Sequence, residues 1–195
     1  VKLGLFGGSF DPIHNGHLLT LSAAASELAL DRVLLIPNPF PPHKPAEQLT
    51  PYVHRREMVR LALKAFPAFE LATIEEESKG PAYTTDTVRR VLETRGISPE
   101  DCWLVIGADA LLELETWKDP EALYRDCRIA VLPRPGCDLA RVPKRFLTRT
   151  RVLKSPQIDI SASEVRARVA AGEPIGHLVP EPVEAYIHSH KLYRP

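Results

Sequence analysis

Two histidines three positions apart, His14 and His17, stand in the stretch "GGSFDPIHNGH". Imidazoles at that spacing can project side by side from the first turn of a helix. A helix start also presents free N–H groups and the positive end of the peptide dipole. Such a pair suits an anion, above all a phosphate that gains charge during group transfer, because imidazoles can donate hydrogen bonds to its oxygens without being consumed. Metal ligation is a second reading, although no nearby cysteine or third histidine completes a set. A helix cap with a surface neighbour is the third. Gly7 and Gly8, read as following the first strand, let the backbone approach a ligand closely. Their spacing matches neither the dinucleotide G-x-G-x-x-G fingerprint nor a P-loop.

These residues need elements to position them. Strand-like segments are Val1–Phe6, Arg32–Ile36, Phe69–Ile74, Trp103–Ile106, Ile129–Leu132 and a short one at Arg151–Leu153. Helical periodicity covers His17–Leu30, with Leu18, Leu21, Ser22, Ala25, Leu28 and Ala29 on one face. Thr50 with Pro51 is expected to open a second helix, whose apolar face is Met58, Leu61, Ala62 and Ala65. Thr84 or Thr85 is expected to cap a third, with Val88, Val91 and Leu92 inward and Gly96 as its stop. A short helix follows Gly107-Ala108-Asp109, and Asp119-Pro120 opens another that runs to about Asp126. "SASE" at Ser161 is a capping-box pattern for a helix ending at Gly172, and Glu181–His190 reads as the last. Strands alternating with helices across short connections imply an α/β fold, with a parallel sheet covered on both faces. Ligands of such sheets bind where loops leave the carboxyl ends of strands. Pro37–Pro45, "PNPFPPHKP", reads as a semi-rigid loop of that kind.

Composition bounds the function. The chain has 195 residues, 44% of them apolar and 26% charged, as expected of a globular domain with a real core. Its 25 Lys and Arg balance 25 Asp and Glu, so no bulk charge favours nucleic acid or a membrane as partner. Cys102, Cys127 and Cys137 form no Cys-x-x-Cys pair, and no apolar run reaches membrane-spanning length. A reducing cytoplasm is the expected location.

"GSFDPIHNGH" resembles the (T/H)-x-G-H signature of the nucleotidyltransferase superfamily, carried here by His14, Gly16 and His17. "PNPFPPHKP", "GPAYTTDTV", "VIGADALLELETW", "RPG" and "ISASEVRAR" resemble, in order and nearly end to end, the blocks of bacterial nicotinate-nucleotide adenylyltransferases. The last block departs from the family's usual I-S-S-T-x-I-R, with Ala162 and Glu164 in place of Ser and Thr. The resemblance implies a Rossmann-like, doubly wound, mostly parallel sheet with helices on both faces. It implies one domain over residues 1–195, with a small helical part from about 155 to 195. The implied reaction joins nicotinate mononucleotide to ATP and releases pyrophosphate, by in-line attack with no covalent enzyme intermediate. Magnesium is expected to arrive on the ATP phosphates.

By the same resemblance, His14, His17, Lys44 and Arg166 form the catalytic set. Gly7, Gly8, Ser9, Phe10, Gly107, Asp109, Arg134 and Ser163 are expected to bind ATP. His43, Thr84 and Trp117 are expected to bind the mononucleotide. Small-molecule substrates are the expected partners, and the sequence leaves room for a homo-oligomer. Two alternatives accompany this reading. One is another small-molecule nucleotidyltransferase, such as a pantetheine-phosphate adenylyltransferase. The other is an ATP-binding regulatory module without catalysis.

Overall fold

The computed structural model describes residues 1–41, 48–76, 80, 82–134, 136–154, 156 and 158–194. Six strands form one sheet: β1 (Leu3–Gly8), β2 (Arg32–Pro37), β3 (Phe69–Leu71), β4 (Cys102–Gly107), β5 (Arg128–Leu132) and β6 (Thr150–Val152). Their order is β3-β2-β1-β4-β5-β6, and every neighbouring pair is parallel. The helices are α1 (Asn15–Leu28), α2 (Tyr52–Ala62), α3 (Thr84–Arg95), α4 (Ala108–Glu113), α5 (Pro120–Asp126), α6 (Lys144–Leu147), α7 (Ala162–Ala170) and α8 (Glu181–Ser189).

Side-chain alternation along the strands builds two cores. Val33, Leu35, Trp103, Val105, Ala130 and Leu132 face α1, α2, α7 and α8. Leu34, Ile36, Leu104, Ile106, Ile129 and Val131 face α3 to α6. The strand order reverses between β1 and β4, so the chain leaves those two strands in opposite directions and opens a crevice at their carboxyl ends. Among the described residues, no helix is long and apolar enough to cross a membrane.

Several local expectations are corrected. Gly7 and Gly8 do not follow the first strand. They end it, paired with Ile36 and Pro37 across the sheet. The turn is instead taken by Phe10, at φ 47°, just before a cis Asp11–Pro12 bond. Thr50 does not cap α2, which has Pro51 at its N-cap and no side-chain cap. Ala65 leaves the apolar face because α2 tightens into a 3-10 turn at Leu63–Ala65, where Ala65 is exposed. Neither Thr84 nor Thr85 caps α3. Tyr83 is its N-cap, and the buried Thr85 hydroxyl donates to the Lys118 carbonyl at 2.7 Å. Ser161 does cap α7, accepting from the Glu164 N–H at 3.1 Å, but Glu164 turns to Arg168 rather than back to the cap. Gly96 stops α3 in the left-handed region, at φ 60°. Asp119 opens α5 as expected, accepting from the Ala122 N–H at 3.1 Å with Pro120 behind it.

Candidate active site

His14 is the N-cap of α1 and His17 its third residue. Each ring reaches back to the other's main chain. His14 Nδ1 accepts from the His17 N–H at 3.4 Å, and His17 Nδ1 accepts from the His14 N–H at 3.3 Å. The rings stack 3.6 Å apart at 24°. An Nδ1 that accepts is unprotonated, so a neutral ring in this arrangement carries its proton on Nε2, pointing away from the helix. Burial, and secondarily the charge of Arg134, lower the His14 pKa from 6.5 to about 4. No acidic side chain occupies the first turn of α1, so the positive end of its dipole is uncompensated.

A cavity of about 370 Å³ opens in front of these imidazoles. Arg166, Ser163, Arg134 and Asp109 also line it. Arg166 projects from the middle of α7, with Nη1 donating to the Asp11 carbonyl at 2.7 Å and Nη2 to Ser163 Oγ at 3.3 Å. Arg134 pairs with Asp109 at 2.7 Å, both well exposed to solvent. The cavity thus gathers two imidazoles, two guanidiniums and a helix terminus around one carboxylate that is already paired. Its chemistry favours a polyanion.

A second cavity, about 470 Å³, adjoins it and is mostly apolar. Thr84 and Trp117 line it, with Thr84 at the start of α3 and Trp117 just after the 3-10 turn Leu114–Thr116. Phe6 and Gly107, at the carboxyl ends of β1 and β4, line both cavities and form their common wall. Gly7, Gly8 and Ser9, expected beside ATP, line this apolar cavity instead. Phe10 lines neither. Its ring is 2% exposed and meets His17 edge-on at 5.4 Å, because the left-handed turn swings it under the histidine. His43 and Lys44 lie outside the described residues. The structure therefore joins His14, His17, Arg166, Ser163, Asp109, Arg134 and Gly107 at one cavity, and Thr84 and Trp117 at the other.

Three residues escaped sequence reasoning. Arg55, 1% exposed, donates Nε to the Thr50 carbonyl at 2.8 Å and Nη1 to those of Ser9 and Asn38 at 2.6 and 2.9 Å. Its Nη2 reaches the Pro39 carbonyl at 3.3 Å. One guanidinium thereby ties the β1–α1 turn to the start of the proline loop and to Thr50, just ahead of α2. Glu75 lines the apolar cavity, accepts from the Thr87 hydroxyl at 2.7 Å and has no partner for Oε2 among the described residues. Burial raises its pKa, against the opposing Thr87 bond. Asp11 is 3% exposed and collects bonds from distant segments. Among the described residues no group of three or more His, Cys, Asp or Glu is placed to hold a metal ion.

A family model described as cytidylyltransferase-like matches residues 5–168. A protein of Moorella thermoacetica named probable nicotinate-nucleotide adenylyltransferase is 40% identical over 202 residues, spanning 100% of this chain and 92% of its own. A protein of that name from Thermus thermophilus is 40% identical over 195 residues, covering both chains completely at 100%. The solved nicotinic acid mononucleotide adenylyltransferase of Plasmodium falciparum, complexed with NaAD, superposes with a TM-score of 0.77. It shares 18% identity, with 98% of this chain and 96% of that one covered, which is a likeness of fold.

Proposed function

The chain belongs to the nicotinate-nucleotide adenylyltransferases of the cytidylyltransferase-like family, and on that premise we propose that it transfers the adenylyl group of ATP to nicotinate mononucleotide. The products are the dinucleotide and pyrophosphate. The observation that carries the reading is the pair of adjoining cavities, one cationic and one apolar, which meet at the Phe6–Gly107 wall.

In this reading the triphosphate occupies the cationic cavity. Nε2–H of His14 and His17 donates to the α-phosphate oxygens, and Arg166 takes the phosphates that leave. Ser163 sets the Arg166 guanidinium, and Asp109 with Arg134 flanks the nucleoside. The pyridine ring enters the apolar cavity against Trp117, with its carboxylate at the start of α3 beside Thr84. The mononucleotide phosphate, ionised at neutral pH, attacks the α-phosphorus in line, and pyrophosphate departs with its electron pair. The enzyme supplies positioning and charge stabilisation and no nucleophile. Magnesium arrives bound to the triphosphate, as part of the substrate. His43 and Lys44 remain candidates for the mononucleotide phosphate from the proline loop. We place the enzyme in the cytoplasm.

The test is pyrophosphate release from ATP with nicotinate mononucleotide, nicotinamide mononucleotide or phosphopantetheine offered in turn. Turnover is expected with nicotinate mononucleotide, weaker turnover with its amide and none with phosphopantetheine. Turnover with phosphopantetheine alone, or ATP binding without release, would overturn the assignment.

A further inference from the structure

We propose that Tyr193 is a positioning residue for adenylyl transfer, acting through Asp11 on the Arg166 guanidinium. The inference rests on the reading of Arg166 as a phosphate ligand. Asp11 lies in the turn between β1 and α1, where two parts of the residue do different work. Its carboxylate accepts from the Tyr193 hydroxyl at 2.7 Å through Oδ1, and from the Thr50 N–H at 3.2 Å through Oδ2. Its carbonyl accepts from Arg166 Nη1 at 2.7 Å. The side chain therefore sets the tilt of the peptide plane from which Arg166 takes its aim. Loss of either carboxylate bond lets Asp11 and its carbonyl shift within the turn, and the guanidinium follows.

Tyr193 is held for this contact. Lys191 and Tyr193 both sit at positive φ, 52° and 61°, a region that side chains other than glycine adopt sparingly. The Leu192 N–H returns to the Ile187 carbonyl at 3.0 Å and the Lys191 N–H to that of His188 at 3.2 Å, fixing the segment after α8. The Tyr193 ring packs against the core beneath α1, α2, α7 and α8, which leaves its hydroxyl to enter the Asp11 site. Burial, reinforced by the neighbouring carboxylate, raises its pKa, so it stays a donor at every working pH. Arg55 is near enough to Asp11 for the carboxylate to act on its charge, so the buried carboxylate keeps a cationic neighbour when the hydroxyl is removed.

A wholly structural role predicts lost stability and equal damage to the use of both substrates. A positioning role predicts damage confined to ATP and dependent on Arg166. The experiment is a double-mutant cycle in the full chain with Tyr193→Phe and Arg166→Ala, read by steady-state pyrophosphate release and by calorimetric titration with ATP. Tyr193→Phe is expected to lower kcat/KM for ATP about tenfold, to leave KM for nicotinate mononucleotide within about twofold, and to cost almost nothing further once Arg166 is alanine. Asp11→Asn keeps an oxygen for the hydroxyl and should lose less than Asp11→Ala. That pair carries the same cycle if Tyr193→Phe fails to fold. An equal loss in both backgrounds, a loss shared by both substrates, or a folded variant with no loss would overturn the inference. A wild-type protein that binds ATP but turns over no mononucleotide would instead count against the proposed function, and the ATP affinities of the four proteins would still decide the role of Tyr193.

Discussion

Lowering the pH from 7 to 4 should cost the folded protein about 3 kcal/mol at His14 alone. The ring is 6% exposed, so solvent screens it little, and its pKa falls from 6.5 to about 4 through burial and then the charge of Arg134. At 1.36 kcal/mol per pH unit, that displacement corresponds to about 3 kcal/mol. Between the two values the unfolded chain binds a proton at this ring that the native protein does not. The contribution is therefore complete above pH 6.5, declines as the pH falls toward 4 and is gone below it. Urea unfolding of the wild type and of His14→Gln, at intervals from pH 7.5 to 4, isolates the effect, because other titrations cancel in the difference. The wild type should lose about 3 kcal/mol more than the variant across that window. Parallel stability curves, or a His14 ring resonance titrating near 6.5 by NMR, would refute the reasoning. Either would mean that the His14 ring takes up its proton as readily in the folded protein as in the unfolded chain.

Replacing His17 by Ala should lower kcat by about two orders of magnitude while changing ATP affinity less, if the ring acts on developing charge. Pyrophosphate release checks this, and an unchanged kcat removes His17 from the mechanism. In Gly16→Ala, the new Cβ would lie 2.9 Å from His14 Nδ1 and 3.1 Å from its Cε1. Displacement of the ring should reduce kcat on the order of 10- to 100-fold, with the helical circular dichroism retained. A full rate in this variant would mean that the His14 ring position does not matter. Arg55→Lys replaces a planar fork by a point donor that cannot span the carbonyls of Thr50, Ser9, Asn38 and Pro39. Unfolding in denaturant should show a loss of about 2–4 kcal/mol, and a wild-type midpoint would contradict the role assigned to it.

Local signals in the sequence mark the framework well. Strand–helix alternation anticipates the parallel sheet, and Asp119-Pro120 and Gly96 mark a helix start and stop because each acts within a few residues of itself. The histidine pair is visible for the same reason, since both rings answer to groups three residues away. Expectations fail where a distant partner overrides a local preference. Thr85 is a plausible cap by type, yet the carbonyl of Lys118 claims its hydroxyl, and that of Thr87 goes to Glu75. Nothing in "HRREM" marks Arg55 as buried, because its partners are main-chain carbonyls that leave no residue-type signature. Asp11 and Tyr193 are 182 positions apart and meet only in the folded chain.

The shared Phe6–Gly107 wall bears on what happens after the chemistry. Two separate ligands enter, each able to leave by itself. On the proposed placement of the substrates, the joined product would straddle both chambers, and letting go at one end would keep the other tethered at high local concentration, so that rebinding would outpace escape. On that placement, departure of the dinucleotide rather than bond formation would be the brake on the cycle.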